Sequence, residues 1–128
     1  MAAILLIEDD PASRRTLGGI LSRHGHEVVT AVNGIDGLEQ FRTRKFDLLI
    51  TDLMMSYGGL ATIKALRATQ LALRILAVSG SQAHLDAAQQ LGADGVLRKP
   101  LNSEILLQKI ADLLSPAPEL GQASLSLE

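Results

Sequence analysis

Short apolar runs alternate with helix-spaced segments along most of this chain. Four runs stand out, Ala3–Ile7, Leu48–Thr51, Ile75–Val78 and Gly95–Leu97, and a fifth, Glu27–Ala31, is more mixed. The first three show little polar alternation, as expected of parallel strands covered on both faces. Between the runs, apolar residues recur at helical spacing: Leu17, Ile20 and Leu21; Ile35, Leu38 and Phe41; Leu60, Ile63 and Leu66; Leu85, Ala88 and Leu91; and Leu106, Ile110, Leu113 and Leu114. The punctuation agrees with this reading. Asp10-Pro11 reads as an N-cap followed by a first-turn proline. Asn33, Ser81 and Asn102 suit the caps of later helices, and Gly25 and Gly92 sit where helices end on glycine. Strand-then-helix repeated along the chain predicts an α/β fold, a parallel sheet with helices on both faces.

Composition narrows the class. A chain of 128 residues predicts one domain, and 47% apolar residues exclude wholesale disorder. Aromatics are scarce at 2%, so the core is to be built from Leu, Ile, Val and Ala. A net charge of −2 without a Lys/Arg cluster argues against direct nucleic-acid binding and against a membrane surface. The absence of cysteine removes disulfides and thiolate metal sites and suits a cytoplasmic protein. The apolar stretch Ala2–Ile7 is too short for a signal peptide, and no window reaches the ~18 apolar residues of a membrane span. From Ser115 onward the residues are mainly Pro, Ala, Ser, Gly and Leu; the expected division is a domain over 1–115 and a loose tail or linker start over 116–128.

The chemistry gathers at the strand ends. Glu8, Asp9 and Asp10 follow the first run, Asp52 ends the third strand, Ser79 the fourth and Lys99 the fifth. In a parallel sheet these termini share one edge. Right-handed crossovers with helices on both faces favour, without compelling, the strand order 2-1-3-4-5. That order makes strands 1 and 3 neighbours at the topological switch point, where open α/β sheets bind ligands. Carboxylates brought together there repel, and keeping all of them ionised calls for a cation. An all-oxygen donor set points to Mg²⁺ or a similar hard ion that keeps several waters. A carboxylate beside such an ion, a lysine ammonium and a hydroxyl can attack a phosphoryl group.

At these residues the sequence resembles the receiver family of two-component response regulators. Ile7-Glu8-Asp9-Asp10-Pro11, with Arg14 and Leu17 following, is similar to the family's acidic-pair segment. Phe46 to Met55 is similar to its phosphoacceptor strand, Ala77-Val78-Ser79-Gly80 to its switch hydroxyl with a small neighbour, and Gly92 to Leu101 to its lysine segment. The resemblance covers residues 3 to about 114 in order, spacing and strand placement. It implies a flavodoxin-like (βα)5 sandwich switched by phosphorylation of Asp52, with catalysis confined to the chain's own phosphorylation and dephosphorylation. The donor would be a histidine kinase, a phosphotransfer protein or a small phosphodonor. It further implies that Asp9 and Asp52 ligate Mg²⁺ directly, with the Met54 carbonyl as third protein ligand and Glu8 acting through water. Lys99 and Ser79 would contact the phosphoryl oxygens, Ser79 would move toward them on activation, and Lys99–Pro100 would be cis. An output domain or separate target protein would be the downstream partner, and the family also allows a phosphorylation-dependent dimer.

Three departures from the family pattern bear on switching. Ser56 stands where proline is usual, and the loop Met55–Leu60 is one residue shorter than the common form, with Gly58-Gly59 in place of a longer turn. Val96 stands where many members carry a switching Tyr or Phe. With no ring to report the move of Ser79, readout is expected at the start of the fourth helix near Ser81, with Ala83, Ala87 and Arg98 on the recognition surface.

Each residue also has a plainer reading. Asp9 and Asp10 could be charges favoured at a helix N-terminus, with Asp10 the cap rather than a ligand. Asp52 could be a turn residue, Ser79 a solvated hydroxyl and Lys99 a surface charge. Their convergence favours the sharper reading. His24, His26 and His84 carry no motif, and His24 and His26, which bracket a turn, are expected on the surface; one of Met54 and Met55 is expected to face the core, and Tyr57 to pack in the loop. Two rival functions stay open: a pseudo-receiver that binds partners without phosphorylation, and a Mg²⁺ phosphohydrolase with an aspartyl-phosphate intermediate. Against the second, Met54 stands where such enzymes generally want a second Asp, and there is no room for a cap region. No glycine-rich fingerprint follows the first strand, so dinucleotide binding fails.

Overall fold

Strand and helix alternate throughout the computed structural model, which describes residues 2–54 and 58–115. The strands are β1 (Ala3–Ile7), β2 (Glu27–Ala31), β3 (Leu48–Asp52), β4 (Arg74–Ser79) and β5 (Gly95–Arg98). The helices are α1 (Pro11–Arg23), α2 (Gly34–Thr43), α3 (Gly59–Thr69), α4 (Gln82–Gln90) and α5 (Ser103–Leu114). All strand pairs are parallel, in the order β2-β1-β3-β4-β5. Asp52 and Ser79 are themselves the last residues of β3 and β4. Met55, Ser56, Tyr57 and the tail 116–128, on which several of the sequence expectations fall, lie outside the described residues.

The period-2 geometry of the strands sorts the core into two layers. Leu5, Ile7, Leu49, Ile75 and Ala77 face one way and pack with Ile63 and Leu66 of α3 and Leu85 and Ala88 of α4. Ile4, Leu6, Leu48, Ile50, Leu76 and Val78 face the other way and pack with Leu21 of α1 and Leu106 and Ile110 of α5. Burial on both faces is why these strands read as continuous apolar runs.

The helix ends follow the expected chemistry. Side chains of Asp10, Asn33, Ser81 and Asn102 accept from backbone amides in the first turns of α1, α2, α4 and α5. Gly25 and Gly92 take positive φ just past α1 and α4, where a side chain would be strained. Helix α3 differs: its cap, Gly58, supplies no side-chain hydrogen bond.

The structure corrects two expectations, one at Ile35 and one at His26. Ile35, read as part of the inward stripe of α2, is 60% exposed. Helix α2 instead rests on the sheet through glycine, because a Cβ on Gly37 would come within 2.3 Å of Ile7 Cδ1. That close approach rotates Ile35 outward. The Met54 side chain is exposed, and Met55, the other candidate for a core-facing methionine, lies outside the described residues. His26 is half-buried rather than on the surface, and its Nδ1 is buried without a partner.

The burial of His26 has a consequence for acid stability. Burial, and then nearby positive charge, lowers its pKa below the usual 6.5. Between that lowered value and 6.5 the unfolded chain holds a proton the native chain refuses, so stability is complete above the window and falls as pH is lowered through it. His26→Gln is expected to remove this part of the acid sensitivity. Urea midpoints at about pH 7.5 and about pH 5.5 check it; an equal drop in variant and wild type would contradict it.

Candidate functional site

The register of the sheet brings residues far apart in sequence to one crevice. Glu8 and Asp9 leave β1 at the edge where β3 ends in Asp52, and β1 and β3 are direct neighbours. One carboxylate oxygen from each of Glu8, Asp9 and Asp52 lies within 4.8 Å of the others. Glu8 and Asp52 are nearly inaccessible, at 2% and 5% exposure, whereas Asp9 faces solvent.

Lys99, at the end of β5, reaches back over this group. Its Nζ lies 2.7 Å from Asp52 Oδ2 and 3.4 Å from Glu8 Oε1. The Met54 amide donates to the other Asp52 oxygen, Oδ1, at 2.9 Å. The Asp10 amide donates to Glu8 Oε2 at 3.2 Å. Burial raises the Glu8 pKa and the charge of Asp52 adds to it, against the Asp10 amide and the Lys99 ammonium. For Lys99, burial works toward a lower pKa, but the hydrogen bond and charge of Asp52, and then those of Glu8, outweigh it and raise it. The lysine is therefore a firmly held cation, and it leaves more negative than positive charge in the crevice.

Ser79, fully buried, lies on the next strand, and its Oγ accepts from the Ser81 amide at 3.0 Å. Its carbonyl accepts from the Lys99 amide at 2.9 Å, which ties the two strand ends together. The Lys99–Pro100 bond is cis. Val96 is half-buried against the layer of core that includes α4, Ala83 and Arg98 are exposed, and Ala87 is half-buried.

Some contributors carry little signal in the sequence. Arg14, one turn into α1, donates from Nη1 to the carbonyls of Glu8 at 2.9 Å and Asp9 at 3.3 Å, pinning the backbone that aims both carboxylates. Gly59 lets α3 begin against the end of β3, since a Cβ there would lie 2.6 Å from the Asp52 carbonyl oxygen. Its place beside Gly58 was the visible hint. A groove of about 420 Å³ between α1 and α5, floored by Leu17, Ile20 and Leu106, opens onto Glu8 and Lys99.

The donor set suits a hard divalent cation. It is all carboxylate oxygen, and exposed Asp9 leaves room for the waters that Mg²⁺ retains.

Known proteins resemble this chain over most of its length. The family model for the response regulator receiver domain matches residues 4–111. The transcriptional regulatory protein AfsQ1 of Streptomyces coelicolor is 34% identical over 116 residues, covering 89% of this chain but only 52% of that protein. Protein PilH of Pseudomonas aeruginosa is 33% identical over 122 residues, covering 90% of this chain and 99% of that protein. The crystal structure of response regulator TrrA from Thermotoga maritima, in complex with Mg²⁺-BeF, superposes with a TM-score of 0.81 at 29% identity, covering 89% of this chain and all of that one (100%).

Proposed function

The chain belongs to the response regulator receiver domain family, and from that premise we propose that it accepts a phosphoryl group on Asp52 in a two-component phosphorelay. The observation that carries the reading is the bridging lysine. One ammonium spans Asp52 and Glu8 above three carboxylates close enough to share an ion.

In this reading Asp9 and Asp52 hold Mg²⁺ directly, the Met54 carbonyl is a third protein ligand, and Glu8 acts through a water. Held by these residues, Mg²⁺ would supply charge neutralisation on the transferring group. An Asp52 carboxylate oxygen forms the new O–P bond as the bond from phosphorus to the donor breaks, and the bonding pair leaves with the donor. Phosphohistidine of a histidine kinase or phosphotransfer protein is the proposed donor. Lys99, already on Asp52 Oδ2, moves onto a phosphoryl oxygen, and the Ser79 hydroxyl turns to meet another. TrrA, solved with Mg²⁺-BeF, lends support by likeness.

The surface around the crevice suits a protein partner. Val32, Ile35, Met54 and Ile105 are exposed large hydrophobics, and each follows a strand end or opens a helix at the edge where Asp52 lies. Apolar side chains collected around an acidic centre favour docking of a protein over a small solute alone. On the change in composition, we assign the domain to residues 1–115 and read 116–128 as a tail or the start of a linker. Because the chain spans about half of AfsQ1, any output domain or target is part of the proposal.

Mass spectrometry after treatment with acetyl phosphate and Mg²⁺ tests the reading. The wild type is expected to gain one hydroxylamine-labile phosphoryl group, and Asp52→Asn none. Unchanged labelling of Asp52→Asn, or an unmodified wild type across a range of donor and metal concentrations, would refute it.

A further inference from the structure

Helix α4 is joined to the crevice by two separate routes. Through the first, the Ser81 amide donates to Ser79 Oγ at 3.0 Å, and Ser81 Oγ caps the helix by accepting from the His84 amide at 3.3 Å. Through the second, His84 Nδ1 lies 3.0 Å from Met54 Sδ. A thioether can only accept, so a favourable contact puts the imidazole proton on Nδ1. Met54 in turn holds Asp52, its amide donating to Oδ1 at 2.9 Å. Asp52, Met54, His84, Ser81 and Ser79 therefore form one chain of contacts, closed into a circuit by Lys99, whose amide donates to the Ser79 carbonyl and whose ammonium sits on Asp52 Oδ2.

Two features give the second route weight. Val96 offers no ring that could turn in response to Ser79. Met54 is 55% exposed and outside the core, so its side chain is free to follow its backbone. We infer that the Met54–His84 contact carries the state of Asp52 into helix α4, making the Met54 side chain and His84 positioning residues of the switch. This rests on the phosphoacceptor reading and adds to it the path of the signal. A group attached to Asp52 changes what the Met54 amide donates to. The backbone at Met54 adjusts, its sulfur shifts, and His84 in the first turn of α4 shifts with it. Ser79 acts in parallel through Ser81, so the helix responds to both ends of the circuit.

Amide NMR with Mg²⁺ and beryllofluoride, on wild type, His84→Ala, Met54→Leu and the double variant, separates the two claims. Shifts at Leu53 and Gly80 report occupancy of the crevice, and those at Asp86 to Gln90 report α4. His84→Ala is expected to keep the first set and its yield of phosphorylated Asp52, while the α4 shifts fall to about half of wild type or less. The double variant is expected to lose no more than His84→Ala alone, because both substitutions break one contact. Wild-type α4 shifts in His84→Ala, or additive losses in the double variant, would overturn the inference while leaving the phosphoacceptor reading intact. A wild type with no shift at Leu53 or Gly80 would overturn both.

Discussion

Asp9→Ala is expected to weaken Mg²⁺ binding by about 100-fold, while Asp10→Ala leaves it nearly unchanged. The two residues are adjacent and both exposed, yet their carboxylates do different work. An oxygen of Asp9 sits within 4.8 Å of those of Glu8 and Asp52, so its loss removes one of few protein oxygens available to the ion. The Asp10 carboxylate is committed elsewhere. It accepts from the Ser13 amide at 2.8 Å as the cap of α1, and that bond lowers its pKa. Its removal costs helix α1 its cap and shows as a lower unfolding midpoint. Amide shifts on Mg²⁺ titration measure the first effect and urea unfolding the second. Equal loss of Mg²⁺ affinity in the two variants would contradict the division of labour and, with it, the placing of the ion.

Arg67→Ala is expected to destabilise the domain by about 3 kcal/mol without touching the crevice. Arg67, on α3, lies at the end of the sheet opposite Asp52. Its Nε and Nη2 donate to the Gly92 carbonyl at 3.1 and 2.8 Å, and Nη1 donates to the Leu73 carbonyl at 2.7 Å. It also reaches the carbonyls of Gln70 and Leu71, and Nη2 pairs with Asp94 Oδ2 at 2.7 Å. That same Asp94 oxygen accepts from the Ile75 amide, so one guanidinium joins α3, the entry to β4 and the entry to β5. The loss leaves carbonyls and a carboxylate without their donor, and the pair is only partly exposed, at 19% and 29%. Arg67→Lys should recover less than half of it, because a single ammonium cannot serve Gly92, Leu73 and Asp94 together. The expected result is a lower urea midpoint at unchanged slope, with phosphorylation yield intact below the transition. A midpoint within error of wild type would refute the account.

Much of the architecture is legible residue by residue. Ile4 to Ile7, Leu48 to Ile50 and Ile75 to Val78 announce doubly covered strands because burial on both faces leaves no polar position to select. Asp10, Asn33, Ser81 and Asn102 announce helix starts because a cap needs only its own next few amides. Where the pattern misleads, a neighbour distant in sequence has decided. Ile35 has helical spacing with Leu38 and Phe41, yet Ile7 seats Gly37 and turns Ile35 to solvent. His26 lacks any motif, and only the packing around it buries its ring nitrogen.

The candidate site divides along the same line. By itself the sequence determined which residues stand at the strand ends, Glu8, Asp9, Asp52, Ser79 and Lys99, because strand length and termini are local properties of the chain. Only the tertiary structure decided that β1 lies between β2 and β3, which closes the carboxylates to within 4.8 Å. It alone put the Lys99 ammonium between Asp52 and Glu8, Arg14 on the carbonyls beneath the acids, and His84 against Met54. Hydrophobic period reports how each residue is solvated. Which strands become neighbours depends on how the whole chain covers its apolar faces, and contacts between residues as distant as Glu8 and Lys99 follow from that choice.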